Sequence, residues 1–82
     1  MPKCTRIGDL DSDRDIITTG SPNVYSNNKK VARVNVDIDS GRDICSTGSP
    51  NVFANGFKIH RLNDLDSDRN VMVTGSPNVF IN

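Results

Sequence analysis

The chain has 82 residues, 34% of them apolar, with no Trp, one Tyr and three Phe, which limits it to one domain with a small core. Ten basic and ten acidic residues cancel, so no global field draws it to nucleic acid or anionic lipid. No apolar run reaches the length of a membrane span, and Met1-Pro2-Lys3 lacks the apolar stretch expected of a signal peptide.

The first predicted element is a short strand over Cys4–Ile7, followed by an acidic turn, Asp9-Leu10-Asp11-Ser12-Asp13-Arg14. Ile16-Ile17 then reads as strand. The phrase TGSPNV occupies Thr19–Val24, where Pro fixes φ and removes a donor, so Gly20 and Pro22 bend the chain. Asn27-Asn28 carries a hairpin signal, because a type I′ turn needs positive φ at both central positions and Asn reaches it cheaply.

The same order then returns. From Lys30 the second strip runs through Ile44-Cys45 and a second TGSPNV, with turn residues Gly48 and Pro50, to the hairpin pair Asn55-Gly56. From Lys58 the third runs through Val71-Met72-Val73 and a third TGSPNV, with Gly75 and Pro77, to Asn82. The glycines stand 28 and 27 residues apart, a spacing of repeat architectures whose units bury their apolar sides only against neighbours. Registered on them, residues 3–28, 30–56 and 58–82 each start Lys-x-x-Arg and continue Asp-(Leu or Ile)-Asp-Ser-x-Arg. The middle strip has one extra residue between Arg33 and Asp37.

No apolar periodicity of helical type exceeds a turn. The expectation is a single all-β domain of three hairpin repeats about a pseudo-threefold axis. The third hairpin turn would begin at Asn82 and its returning strand would follow at Lys3. Cys4–Ile7 is therefore expected to pair with Asn78–Ile81 and close the ring. With so little apolar bulk, stability is expected to be borrowed from polar networks, a metal or a partner surface.

Cys4 and Cys45 form neither a CxxC nor a disulfide framework; the chain reads as made in the cytoplasm with reduced thiols. As metal ligands, Cys4, Cys45 and His60 are acceptable types. The repeat register sets them in three different layers, so the cysteines read as small apolar fillers and His60 as a half-exposed strand residue. Asp9, Asp11 and Asp13 alternate as in a calcium loop, but Arg14 stands where that loop needs Gly, and no Glu follows. The sequence assigns no metal centre, leaving Asp13, Asp39 and Asp68 as candidates for a loosely held hard cation. About a threefold axis, Arg14, Arg42 and Arg69 are expected to meet Asp11, Asp39 and Asp66 of adjacent strips in an ion-pair ring at the apex. One His, no Glu and no elbow-like Ser motif leave no acid–base pair or activated nucleophile, so no enzyme activity is expected.

Hairpins reading NVF-x-NG, followed by x-x-x-Arg and then Asp, resemble the PAAR-repeat proteins over the whole chain. The family tetrapeptide Pro-Ala-Ala-Arg falls on Lys3-Cys4-Thr5-Arg6, Lys30-Val31-Ala32-Arg33 and Lys58-Ile59-His60-Arg61, keeping the Arg each time. The family Gly-Asp falls on Gly8-Asp9, Val36-Asp37 and Asn63-Asp64. The resemblance implies a small conical β-structure at the tip of a trimeric β-helical spike, in a contractile phage tail or a type VI secretion system. It also implies zinc held by histidines and a cysteine after Gly-Asp, but the matching positions here are Asp13, Gly41 and Asp68; no cofactor is expected.

The expected function is a spike tip, one copy per trimer, that sharpens the spike for piercing a cell envelope and touches the target membrane transiently. It would be made in the cytoplasm and assembled on a particle, with a phage tail favoured because no toxin domain is appended. The alternative is a calcium-binding β-repeat adhesion module.

Overall fold

The computed structural model describes residues 1–82. It is all-β, and it contains no helix, hence none long and apolar enough to cross a membrane. Two antiparallel hairpins carry its regular strands: β1 (Tyr25–Ser26) with β2 (Lys29–Lys30), and β3 (Phe53–Ala54) with β4 (Phe57–Lys58). The turns between them are left-handed as the sequence requires, with φ of 55° and 65° at Asn27 and Asn28, and 55° and 82° at Asn55 and Gly56.

Everything else is held by single bridges and turns. Of 40 backbone–backbone hydrogen bonds, 36 lie outside the named strands, so backbone pairing is distributed through loops rather than gathered in ladders. The bridges recur in cyclic order. Cys4 pairs with Arg61, Val31 with Arg6 and Ile59 with Arg33; farther along, Asp11 pairs with Met72, Asp39 with Ile17 and Asp66 with Cys45. Between these sets, the Thr5 N–H donates to the His60 carbonyl (3.1 Å), His60 to Ala32 (3.0 Å) and Ala32 to Thr5 (3.0 Å). That is a closed circuit of three backbone bonds.

Lys3 bridges Phe80, as Lys30 bridges Tyr25 and Lys58 bridges Phe53. The Cys4 N–H donates to the Val79 carbonyl and the Ile81 N–H to that of Pro2. The terminal pairing thus spans Pro2–Cys4 and Val79–Ile81. The rest of the strand predicted over Cys4–Ile7 turns to other segments, Thr5 to His60 and Ile7 to Lys30.

Two apolar clusters fill the interior. Cys4, Val31, Ala54 and Ile59 form one, with Val24, Val52, Val79 and Ile81 against it; Ile17, Ala32, Cys45 and Met72 form the other. Only nine of the 23 buried residues are apolar, and the other fourteen are polar or charged. The core is a polar network as much as an apolar one. His60, expected to be half exposed, is fully buried, its Nδ1 2.7 Å from the Thr47 carbonyl oxygen. It occupies the axial circuit beside Thr5 and Ala32, where every side chain points inward and is shut off from solvent.

The extra residue of the middle strip is Val36. Asn35 (φ 70°) donates its N–H to Cys45, as Gly8 does to Ile17 and Asn63 (φ 72°) to Met72. Asn35 is therefore the structural equivalent of the Gly before Asp, and Val36 is an exposed bulge.

Candidate functional site: a carboxylate cap on a ring of repeats

The residues of TGSPNV shape the turn and join one repeat to the next. The Thr hydroxyls donate across the seams, Thr74 to Asp9 Oδ1, Thr19 to Asp37 Oδ1 and Thr47 to Asp64 Oδ1, at 2.8–2.9 Å. Gly lets two backbones touch: a Cβ on Gly48 would stand 2.6 Å from the Ile59 carbonyl oxygen. Ser21, Ser49 and Ser76 are fully buried and their Oγ atoms accept the N–H groups two and three residues on, capping the turn. Pro22, Pro50 and Pro77 sit exposed at the bend, and the Val residues pack on the first cluster. Two hairpin tips latch onto these turns: Ser21 Oγ donates to Asn55 Oδ1 and Ser76 Oγ to Asn27 Oδ1.

The ion pairs are made by the first arginine of each strip. Arg6 pairs with Asp9, Arg33 with Asp37 and Arg61 with Asp64, with Nε to Oδ2 distances of 3.1, 2.9 and 2.8 Å. In each, Oδ2 also accepts the arginine's own backbone N–H, and a second guanidinium nitrogen reaches Oδ1. Burial raises the Asp64 carboxyl, but the bonds from Arg61 and Thr47 prevail and hold it below its ordinary value.

Arg14, Arg42 and Arg69 do not form the expected ring with Asp11, Asp39 and Asp66. They are exposed, in no ion pair, and occupy left-handed turn positions with φ of 66°, 68° and 66°. The reason is local. Each axial aspartate already caps its own turn, its Oδ1 accepting two N–H groups: Asp13 and Asp15 for Asp11, Gly41 and Asp43 for Asp39, Asp68 and Asn70 for Asp66. That winding throws the Arg side chain outward.

The axial aspartates converge instead with their neighbours. Carboxylate oxygens of Asp11, Asp15 and Asp39 lie within 4.8 Å of one another, as do those of Asp39, Asp43 and Asp66. Asp13 and Asp68 are exposed and belong to neither group, whereas Asp39 belongs to both. Burial pushes Asp39 up to about 6, and the carboxyl of Asp11 and the charge of Asp43 add to it against the lowering bonds from the Asp43 and Gly41 backbone. Asp43 is raised as well, through desolvation and the charges of Asp66, Asp68 and Asp15. Sequence reading missed Asp15 and Asp43; their register five residues before the repeat glycine, shared with Asn70, was the available signal.

No donor set for the zinc that the resemblance implies is assembled. Cys4 and Cys45 lie in separate apolar clusters, and no group of three possible ligands includes a Cys or His. Burial pushes the Cys4 thiol up to about 11 and the Cys45 thiol to about 12, far from the thiolate that zinc needs.

At the Lys3 end of the succession of bridges, Tyr25, Phe53 and Phe80 occupy equivalent positions and are 55%, 53% and 47% exposed. Large aromatic side chains so placed are available for contact. No family model matches this sequence, and no curated protein matches it.

Proposed function

We propose that the chain is a PAAR-like spike tip: a three-repeat cone that caps a trimeric β-helical spike with one copy per trimer and sharpens it for piercing a cell envelope. The supporting observation is the cyclic order of the inter-repeat bridges. A single chain whose repeats pair 1 to 3, 2 to 1 and 3 to 2 presents three near-identical surfaces to a threefold partner. Tyr25, Phe53 and Phe80 are one such set, exposed and each bridged to a Lys, where apolar contact and strand-edge pairing can act together. The contribution is mechanical and involves no catalytic step. Assembly on a phage tail, after synthesis in the cytoplasm, suits it best, with transient contact at the target membrane.

Mixing the chain with a recombinant trimeric β-helical spike fragment tests this by light scattering. One chain per trimer is expected; three chains per trimer, or a self-trimer of the chain alone, would overturn it. Replacing Tyr25, Phe53 and Phe80 together by Ser should abolish the complex while leaving the monomer folded. The alternative, a calcium-binding β-repeat adhesion module, is favoured by the acidic groups around Asp39. It predicts no complex with the spike fragment.

A further inference from the structure

Asp11, Asp39 and Asp66 are 3%, 3% and 6% exposed. Each commits Oδ1 to two backbone N–H groups of its own turn. The Oδ2 atom of each is buried and meets no hydrogen-bond donor. Burying a carboxylate oxygen without a partner is strongly unfavourable, because its hydration is lost and nothing replaces it. Here the same defect occurs at all three equivalent positions.

No side-chain cation relieves it. Arg6, Arg33 and Arg61 are engaged with Asp9, Asp37 and Asp64, and Arg14, Arg42 and Arg69 face solvent. The carboxylate oxygens of Asp11, Asp15 and Asp39, and of Asp39, Asp43 and Asp66, lie within 4.8 Å of one another. Oxygens on opposite sides of one calcium ion are about 5 Å apart, given metal–oxygen distances of about 2.3–2.6 Å.

Two further details fit an ion. Gly41 stands where the other turns have Asp13 and Asp68, and a Cβ there would be 2.6 Å from Asp15 Oδ2. Its absence makes room for Asp15 to fold over the cluster. In the third sector Asn70 replaces Asp15 and Asp43, and its Nδ2 is buried without a partner. Turning that amide over would aim its oxygen inward and its nitrogen at Ser12 Oγ, which lies 3.4 Å from the other amide atom.

We infer that the two carboxylate groups that share Asp39, Asp11–Asp15–Asp39 and Asp39–Asp43–Asp66, form a binding site for a hard divalent cation, calcium, at the Asp11 end of the ring of repeats. The donors are all oxygen, with no thiolate or imidazole to favour zinc. Their crowded, uneven arrangement suits calcium, which accepts six to eight oxygens flexibly, better than magnesium, which demands an octahedron and keeps its water. Held on either side of Asp39, the ion would tie neighbouring turns together, where an arginine ring was expected. The site stands apart from spike docking, since cation binding is read on the isolated chain and docking on the complex.

Calorimetry and thermal melting of the full chain, first stripped with EGTA and then titrated with calcium chloride, test the site. One calcium per chain and a rise in Tm are expected, with smaller rises for magnesium and zinc at equal concentration. Asp39→Asn keeps the Oδ1 acceptor and removes one charge. In chelator it should melt at or above the parent, and its calcium affinity should fall by about 10–100-fold or more. Gly41→Ala leaves the axial trio intact and displaces Asp15, so it should fold and bind calcium more weakly. No Tm rise up to about 10 mM calcium, above the roughly 1 mM weak end of protein calcium sites, overturns the inference. So does an unchanged affinity in either variant, and Gly41→Ala alone decides if Asp39→Asn does not fold.

Discussion

Six arginines recur in two registered sets, and their neighbours in space give them opposite roles. Arg33 is held by a fork of bonds to Asp37, with side chains 10% and 1% exposed, whereas Arg42 is exposed in a left-handed turn. Arg33→Ala should destabilise by about 3–5 kcal/mol because Asp37 is left buried and unpaired. Arg42→Gly should be neutral or stabilise by up to about 1 kcal/mol, since a side chain at positive φ is strained. Urea denaturation of the two variants checks the contrast, and equal losses would contradict the assignment. His60 shows a second effect of neighbours. Burial lowers its pKa, against the raising influence of the Thr47 carbonyl, Asp64 and Asp66. The unfolded chain then takes up a proton first as pH falls below about 6.5, so stability is full above that value and lost beneath it. Asp39, raised to about 6, acts in the opposite sense, losing stability as pH rises from the ordinary carboxylate range towards 6. His60→Ala, which copies Ala32 of the second strip, isolates the histidine. Its stability relative to the parent should improve steadily as pH is lowered from about 7 to about 5, measured in chelator.

The six-residue turn joins the elements. Its glycine is required by closeness rather than by φ, for Gly48 has no positive φ yet lies against the Ile59 carbonyl and Val34 Cγ2. Gly48→Ala should cost about 1–3 kcal/mol, the usual range for forcing a methyl into a packed site. Pro50→Ala, two residues on and exposed, should cost under about 1 kcal/mol, through the unfolded chain alone. Comparable losses of denaturation midpoint in the two would refute the close-approach account. The hairpins were legible in advance, since Asn-Asn and Asn-Gly between β-formers specify a turn by local sterics alone. That Asn27 and Asn55 then reach another repeat's serine was not legible, because the serine lies 49 residues from Asn27 and 34 from Asn55.

Taken as one body, the molecule measures 24 × 23 × 22 Å, and its closure depends on Lys3 meeting Phe80. Tyr25 and Lys30 are joined by four residues, as are Phe53 and Lys58. A peptide bond from Asn82 to residue 1 would give Phe80 and Lys3 the same spacing, with residue 1 at the place of Asn28 and Gly56. A backbone-cyclised chain carrying Met1→Gly should therefore fold and melt higher than the linear one. The gain should approach about 4 kcal/mol if chain entropy acts alone. A cyclised chain that melts lower, or aggregates, would show that the terminal segments do not pair as a third hairpin.

The repeat period, the β-hairpins with their left-handed turns and the all-β class were written in the sequence, because each depends on local conformational preference and on spacing along the chain. The register also separated Cys4, Cys45 and His60 into different layers. What the sequence left open was how each repeated charge is used. Arg6 and Arg14 both lie within a few residues of aspartates, and nothing in the linear order distinguishes a buried fork from an outward turn. Packing decided it: Asp9 is screened from water and fixed by Thr74 of another repeat, whereas Asp11 is turned to the axis by its own backbone and meets Asp39 rather than an arginine. Burial and convergence across repeats are properties of the closed ring, and they come into existence only when three distant segments meet.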